Sequence, residues 1–312
     1  MTPTALLKQV IAYIVVYVMR LGDAILRMVW RTPPVVAGVR VERIQIPSRD
    51  RGRSITAYKY TPEGATGALP VHLNWHGSGF VIRRLGRDAH MLSLIASRLQ
   101  CAVLDCDYRK GPESKFPAAE EDAEDQAVLC VMAHPTQYDT SRITVGGSSA
   151  GGQLALAMCV AFGRKLAGCF ALYPPSFRVR PGETKPPPPN STFRSGMVLR
   201  PWMSAVFREA YTPQDVTRNA RFCPILADVS NFPEHVLIAC GDADTLFYDG
   251  EKMIEKIQRD GQGDHKTHAK FVSVPSEAHE FNLLPRSPES LHWRDRVYDA
   301  GIATLRAAHA AA

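Results

Sequence analysis

Between residues 39 and 60 apolar and polar side chains alternate with a period of two, and Arg51-Gly52 interrupts the alternation near its middle. That pattern predicts two antiparallel strands joined by a turn. Beyond residue 70 the texture changes. Short runs of apolar residues at 71–75, 102–104, 143–145, 169–173, 235–240 and 271–274 are separated by helix-spaced segments. Those segments lie at 88–99, 117–132, 151–162 and 250–259, and an amphipathic stretch at 290–307 closes the series. Strands that read as continuous apolar runs need cover on both faces, so the fold class is α/β: a mostly parallel sheet with right-handed crossovers and helices on both sides.

The rhythm breaks once, between residues 174 and 222. Four prolines at 186–189 forbid a regular element there, and a short helix is expected at 202–210. An excursion of that length between strands reads as a lid or substrate-shaping insertion.

Ahead of the first strand, residues 10–19 are uninterruptedly apolar between Lys8 and Arg20. The stretch is shorter than the roughly 20 residues a spanning helix needs, and no small-residue cleavage site follows it. Leu6, Leu7, Ile11, Ile14 and Val18 recur at helical spacing. Residues 1–34 are therefore expected to form a helix that packs over the active site or against a partner subunit in a homodimer. Contact with a membrane surface through residues 5–30 is the alternative. Residues 35–312 form the main domain, with the insertion at about 174–222.

Composition narrows the partners. A hydrophobic content of 45% supports a sizeable core, and the net charge of +6 comes from basic residues interleaved with acidic ones rather than from a block. No nucleic acid is expected as a partner, because no groove helix or stacking-aromatic motif accompanies the charge. Seven cysteines, an odd number without a C-x-x-C pair, read as reduced thiols of a cytoplasmic protein. No cofactor and no metal are expected.

The chemistry gathers around Ser149. Residues 146–152 read Gly-Gly-Ser-Ser-Ala-Gly-Gly directly after the strand at 143–145, so Gly147 and Gly151 flank Ser149 in a G-x-S-x-G pattern between strand and helix. In such a turn the serine oxygen projects from the sheet, and side chains at the flanking positions would collide with neighbouring chain. Acyl transfer by serine needs a base and a group that orients it, arriving after the serine in chain order. Asp242, Asp244 and Asp249 follow the strand that ends at Cys240, and His279 follows the one that ends at Val274. His268, in a polar stretch, reads as surface. The loop His76-Gly77-Ser78-Gly79, immediately after the strand at 71–75, suits backbone donors for an oxyanion, together with the amide of Ala150.

These motifs, taken with Asp107-Tyr108-Arg109-Lys110-Gly111-Pro112-Glu113 and the Phe116-Pro117-Ala118-Ala119 segment, resemble the hormone-sensitive lipase type of α/β-hydrolase, with its HGGG loop and GDSAGG elbow. The loop also resembles those of fungal secondary-metabolism hydrolases. The resemblance implies an α/β-hydrolase fold with an N-terminal helical cap. It places the nucleophile on Ser149, the base on His279 and the acid on Asp244, with Asp242 and Asp249 in support. Oxyanion donors fall on the amides of Ser78, Gly79 and Ala150, and His76, Gly77, Gly147 and Gly151 are motif support.

Three positions depart from that family. Ser78 replaces a glycine and would add a side chain that narrows the acyl pocket, Ser148 replaces an aspartate beside the nucleophile, and Tyr248 replaces an aspartate in the acid motif. The implied activity is hydrolysis of a hydrophobic carboxylic ester or thioester through an acyl-enzyme. The same triad would also serve thioester release, lactonisation or acyl transfer in a biosynthetic pathway, and a non-catalytic ligand-binding hydrolase fold is the rival from another class.

Overall fold

A computed structural model describes residues 3–29, 34–177, 185–213, 216, 218–230, 232–261 and 267–312. The parts of the N-terminal segment and of the 174–222 insertion that fall elsewhere lie outside the described residues. One eight-stranded sheet organises the chain. The expected hairpin is β1 (Val39–Pro47) and β2 (Ser54–Pro62), antiparallel in the register Val39↔Pro62 to Pro47↔Ser54. It joins the sheet through β2, which runs antiparallel to β4 (Ala102–Cys106). From β4 onward every pairing is parallel: β3 (Leu69–Trp75), β5 (Tyr138–Ser148), β6 (Gly168–Leu172), β7 (His235–Gly241) and β8 (His268–Val274), in the order β1-β2-β4-β3-β5-β6-β7-β8.

All five residues of β4 and of β6 are buried, as two-sided cover requires. On one face the core is closed by α2 (Ala89–Leu99) and α7 (Pro288–Ala311), through Leu92, Ile95, Val297, Ile302 and Leu305. On the other it is closed by α3 (Ala118–Asp125), α4 (Ala150–Phe162) and α6 (Phe247–Asp260). Burial of apolar surface on this scale, at about 25 cal/mol per Å², is the dominant force holding the layers together.

The segment expected as one helix at 117–132 is two. After α3 the chain widens into a π-helical stretch over Gln126–Met132. Gln126 is pinned at the junction: Trp75 Nε1 donates to its Oε1 at 2.6 Å, and its Nε2 donates to the Asp107 carbonyl at 2.6 Å. α7 starts earlier than its periodicity suggests, because the Ser287 hydroxyl accepts the Ser290 amide and caps it. All seven cysteines are thiols rather than disulfides, and all but Cys130 are buried.

The N-terminal segment is a single helix, α1 (Pro3–Val29), packed on α5 (Pro201–Tyr211) of the insertion. Val16 is fully buried with Val81, Ile82 and Ala210, and Tyr13, Met19, Val206 and Phe207 pack around that contact. The face that packs is the one opposite the apolar stripe, and its Gln9 and Met19 line the cavity over Ser149. Leu6, Leu7, Ile11, Ile14 and Val18 all point outward and are exposed, so this stripe lines no substrate pocket.

Candidate active site

Ser149 occupies the tight turn between β5 and α4 with φ +52° and ψ −118°, in the left-handed region that non-glycine residues avoid. Its amide donates to the Leu172 carbonyl at 2.9 Å, which fixes the turn against β6. A Cβ on Gly151 would lie 1.8 Å from the Trp75 carbonyl oxygen. No side chain fits where α4 passes the end of β3, so the glycine after Ala150 is a steric requirement.

The residues expected at the ends of later strands converge on this turn. His279 Nε2 lies 3.0 Å from Ser149 Oγ, and His279 Nδ1 lies 2.7 Å from Asp244 Oδ2. The other Asp244 oxygen accepts the Leu246 amide at 2.9 Å, which holds the carboxylate toward the ring. All three side chains are buried. Burial favours a neutral His279 ring, but the Asp244 charge and hydrogen bond, with Glu280 adding its charge, outweigh it and raise the ring's pKa.

Asp242 and Asp249 hold backbone. Asp242 Oδ1 accepts the Ser276 amide at 2.7 Å, bracing the loop that carries His279. Asp249 is buried, accepts the Ser176 amide at 2.9 Å and pairs with Lys185 Nζ at 2.6 Å, tying down the base of the insertion. His268 is exposed at the start of β8. Tyr248 is half-buried and packs edge-on against Phe247.

The loop after β3 sits opposite. His76 is fully buried and stacks on Tyr108, and burial, then the nearby Lys110 charge, push its pKa down to about 4. It is a neutral scaffold residue. Ser78 corrects the expectation of a narrowed pocket. Its hydroxyl lies 2.6 Å from the Tyr108 hydroxyl and accepts the Phe80 amide at 2.8 Å, while Tyr108 donates onward to the His76 carbonyl at 2.7 Å. The side chain is spent on the loop's own architecture. Ser148 is a buried hydroxyl closing β5.

A cavity of about 810 Å³ opens over Ser149 and His279. Met197, Met203, Phe207, Tyr211, Phe222 and Leu246 give it apolar walls, and the loop residues Ser78 and Gly79 with Ala150 line its floor. Among the described residues no group of three or more His, Cys, Asp or Glu side chains is arranged to hold a metal ion.

Residues 72–283 match the sequence profile described as alpha/beta hydrolase fold. The chain belongs to that family. The resemblance to hormone-sensitive lipase-type hydrolases drawn from the motifs is borne out. A versiconal hemiacetal acetate esterase of Aspergillus parasiticus is 31% identical over 120 residues, 37% of each chain, so the alignment spans little more than a third of that relative. An esterase of Pyrobaculum calidifontis is 26% identical, covers 98% of both chains and superposes with a TM-score of 0.75. An ester hydrolase from the metagenome of Lake Arreo is 25% identical over 95% of this α/β-hydrolase and 90% of its own chain, with a TM-score of 0.73.

Several contributors to the site had no motif to announce them. Residues of the insertion brace the histidine loop of the α/β-hydrolase: the Ser195 carbonyl accepts the Ala278 amide at 3.0 Å, and the His279 carbonyl accepts the Met197 amide at 2.7 Å. Tyr173 places its ring 4.6 Å from the His279 ring. Glu280, adjacent to His279 in sequence, is buried against Arg84. Only Glu280 carried a signal in the sequence, an ionisable residue beside the candidate base.

Proposed function

We propose that the chain hydrolyses carboxylic esters of hydrophobic small molecules through an acyl-enzyme on Ser149. The supporting observation is the Ser149–His279–Asp244 hydrogen-bonded chain, with spacings of 3.0 and 2.7 Å, beneath a largely apolar cavity. His279 Nε2 takes the hydroxyl proton as Ser149 Oγ attacks the ester carbonyl, and Asp244 stabilises the imidazolium that forms. The amides of Ser78, Gly79 and Ala150 stabilise the oxyanion. Among the described residues none of the three has an internal acceptor. Collapse of the tetrahedral intermediate expels the alcohol, which receives the proton from His279. Water, activated by the same ring, then releases the carboxylic acid and regenerates the serine.

In this reading residues 1–34 serve as a cap, residues 35–312 as the catalytic domain, and the 174–222 insertion as the wall that selects substrates. Apolar walls favour acyl or alcohol groups of the same character, since each methylene removed from water contributes about 0.8 kcal/mol. The test joins a fluorophosphonate probe with turnover of p-nitrophenyl esters of increasing chain length. Wild-type enzyme is expected to label and turn over, and Ser149→Ala to do neither. Labelling that persists in Ser149→Ala sinks the assignment.

A further inference from the structure

Helix α1 is amphipathic in the reverse of the usual sense. Its ion-pairing side chains Arg20 and Asp23 face the protein beside Val16, while most of its described large apolar ones face outward. Arg20 donates to the Val81 carbonyl and the Gly111 carbonyl, both at 2.7 Å, and forks onto Glu113. Asp23 is buried and pairs with Arg84 at 2.8 Å and Arg87 at 3.5 Å. Gln9 bonds Tyr13 along the same inner face. Outward, Leu7, Ile14, Val18, Leu21 and Ile25 are each more than half exposed, and Met28 is 88% exposed. At 100° per residue the exposed apolar positions, from Leu6 to Leu26, sweep an arc of about 200° along a helix about 40 Å long. The only described charge on that side is Lys8.

We infer that this face docks flat on the surface of an anionic lipid bilayer. Residues Leu6–Leu26 are long and apolar enough to cross a membrane by length and composition alone. Crossing, however, would pull Arg20 and Asp23 off their ion pairs and expose Val16, so the helix lies in the plane of the interface with its inner face still on the protein. The arc is wider than the narrow seam that pairs two helices, and a fluid acyl layer conforms to such a width. Charge points the same way. Lys8 is exposed on α1, Lys115 lies over the Tyr13 ring of α1, and Arg83 is exposed beside the already paired Glu113. Arg200 and Arg208 are exposed on or next to α5, which packs on α1, with Glu209 as the opposing charge. Trp202, in the first turn of α5, is 54% exposed and suits the headgroup layer. Gln9 and Met19 of α1 also line the cavity over Ser149, so a docked molecule would open that cavity beside the lipid.

Flotation of the full chain with phosphatidylcholine vesicles, with and without phosphatidylserine, tests this through binding rather than turnover, so its failure is separable from failure of the esterase reading. Wild type is expected to float with the mixed vesicles and less with neutral ones, and Val18→Asp/Leu21→Asp to lower the partition at least about tenfold. Unchanged melting of that variant shows it folded. Should it not fold, protection of the wild-type α1 amides from hydrogen exchange on adding mixed vesicles reads the same contact. No flotation of wild type, equal flotation of the variant, or equal binding to both lipid compositions overturns the proposal. So does light scattering that shows a wild-type dimer made monomeric by the variant, which would give the face to a second copy.

Discussion

Arg84 grips Glu280, the residue next to His279, and with its Nε reaches Asp23 on α1 at 2.8 Å. Helix α1 is thereby wired to the loop that carries the candidate base. Glu280 is itself held at φ +59° and is buried, so the loop stores strain that the ion pair stabilises. Burial works against the Glu280 charge, yet Arg84, then His279 and Arg87, keep its pKa below the usual carboxylate value.

Removing the arginine should take the nearest cation from buried Glu280 and leave buried Asp23 without its 2.8 Å partner, with Arg87 still at 3.5 Å. Arg84→Met is expected to destabilise the fold by about 3 kcal/mol in urea unfolding. Glu280→Gln should cost less and shift the acid limb of the rate profile downward, because the Glu280 charge helps raise the His279 pKa. A Glu280→Gln limb identical to wild type would show that Glu280 has no electrostatic hold on the ring.

The base form of His279 is neutral, and its pKa is raised above the ordinary 6.5. Activity should therefore fall as pH drops through that raised value, with the acid limb of kcat/KM above 6.5. Asp244→Asn removes the main attraction for the proton. The limb should move to lower pH while the rate falls by on the order of ten-thousand-fold. A limb that stays in place would mean another group titrates there.

Ser78→Ala breaks the link to Tyr108 and leaves the Phe80 amide without its acceptor. A loss of about 1–2 kcal/mol in stability is expected, with a lower kcat and little change in KM, since the oxyanion amides lose their anchor rather than the substrate its pocket. Preserved kcat with altered chain-length preference would instead place the hydroxyl in the acyl site.

Gly79 has φ +57°, and a Cβ there would lie 2.5 Å from Phe207 Cδ2. Gly79→Ala is expected to cut kcat/KM at least about tenfold, from roughly 1–2 kcal/mol of backbone strain plus displacement of Phe207. Phe207→Ala in the same chain relieves the steric part alone, so a partial recovery of activity is expected. Full recovery would show that backbone strain contributes nothing.

Asp105 is buried beside Asp88, and burial, then the Asp88 charge, push its pKa up to about 8. An acid raised from 3.8 in the folded state favours folding less and less as pH climbs from about 4 to about 8. Asp105→Asn keeps an acceptor for the Gly86 amide. It should gain at least about 1 kcal/mol over wild type at pH 8 and much less at pH 5 in paired unfolding titrations.

Local chemistry made much of this molecule legible in the chain itself. Period-two alternation marked the β1–β2 hairpin, and two-sided burial marked the apolar runs of the parallel strands. Ser149 and His279 were readable because strand ends in an α/β sheet converge on one edge, whereas chain order left Asp242, Asp244 and Asp249 open as the acid and only the family resemblance singled out Asp244. Gly151 was readable from the G-x-S-x-G spacing, and the structure supplies the reason, the Trp75 carbonyl where a side chain would have to go.

What depended on distant contacts was decided only in three dimensions. A helical pattern in α1 defines a stripe but not which way it faces, and the ion pairs of Arg20 and Asp23 with Glu113 and Arg84 turned the polar side inward. The Ser78 hydroxyl could equally have entered the pocket, and Tyr108, 30 residues away, drew it into the loop. The brace of Ser195 and Met197 on the His279 loop and the place of Phe207 against Gly79 come from an insertion without sequence period. Short-range patterns encode elements and their order, whereas orientation and support arise from pairings across long stretches of chain that no local window contains.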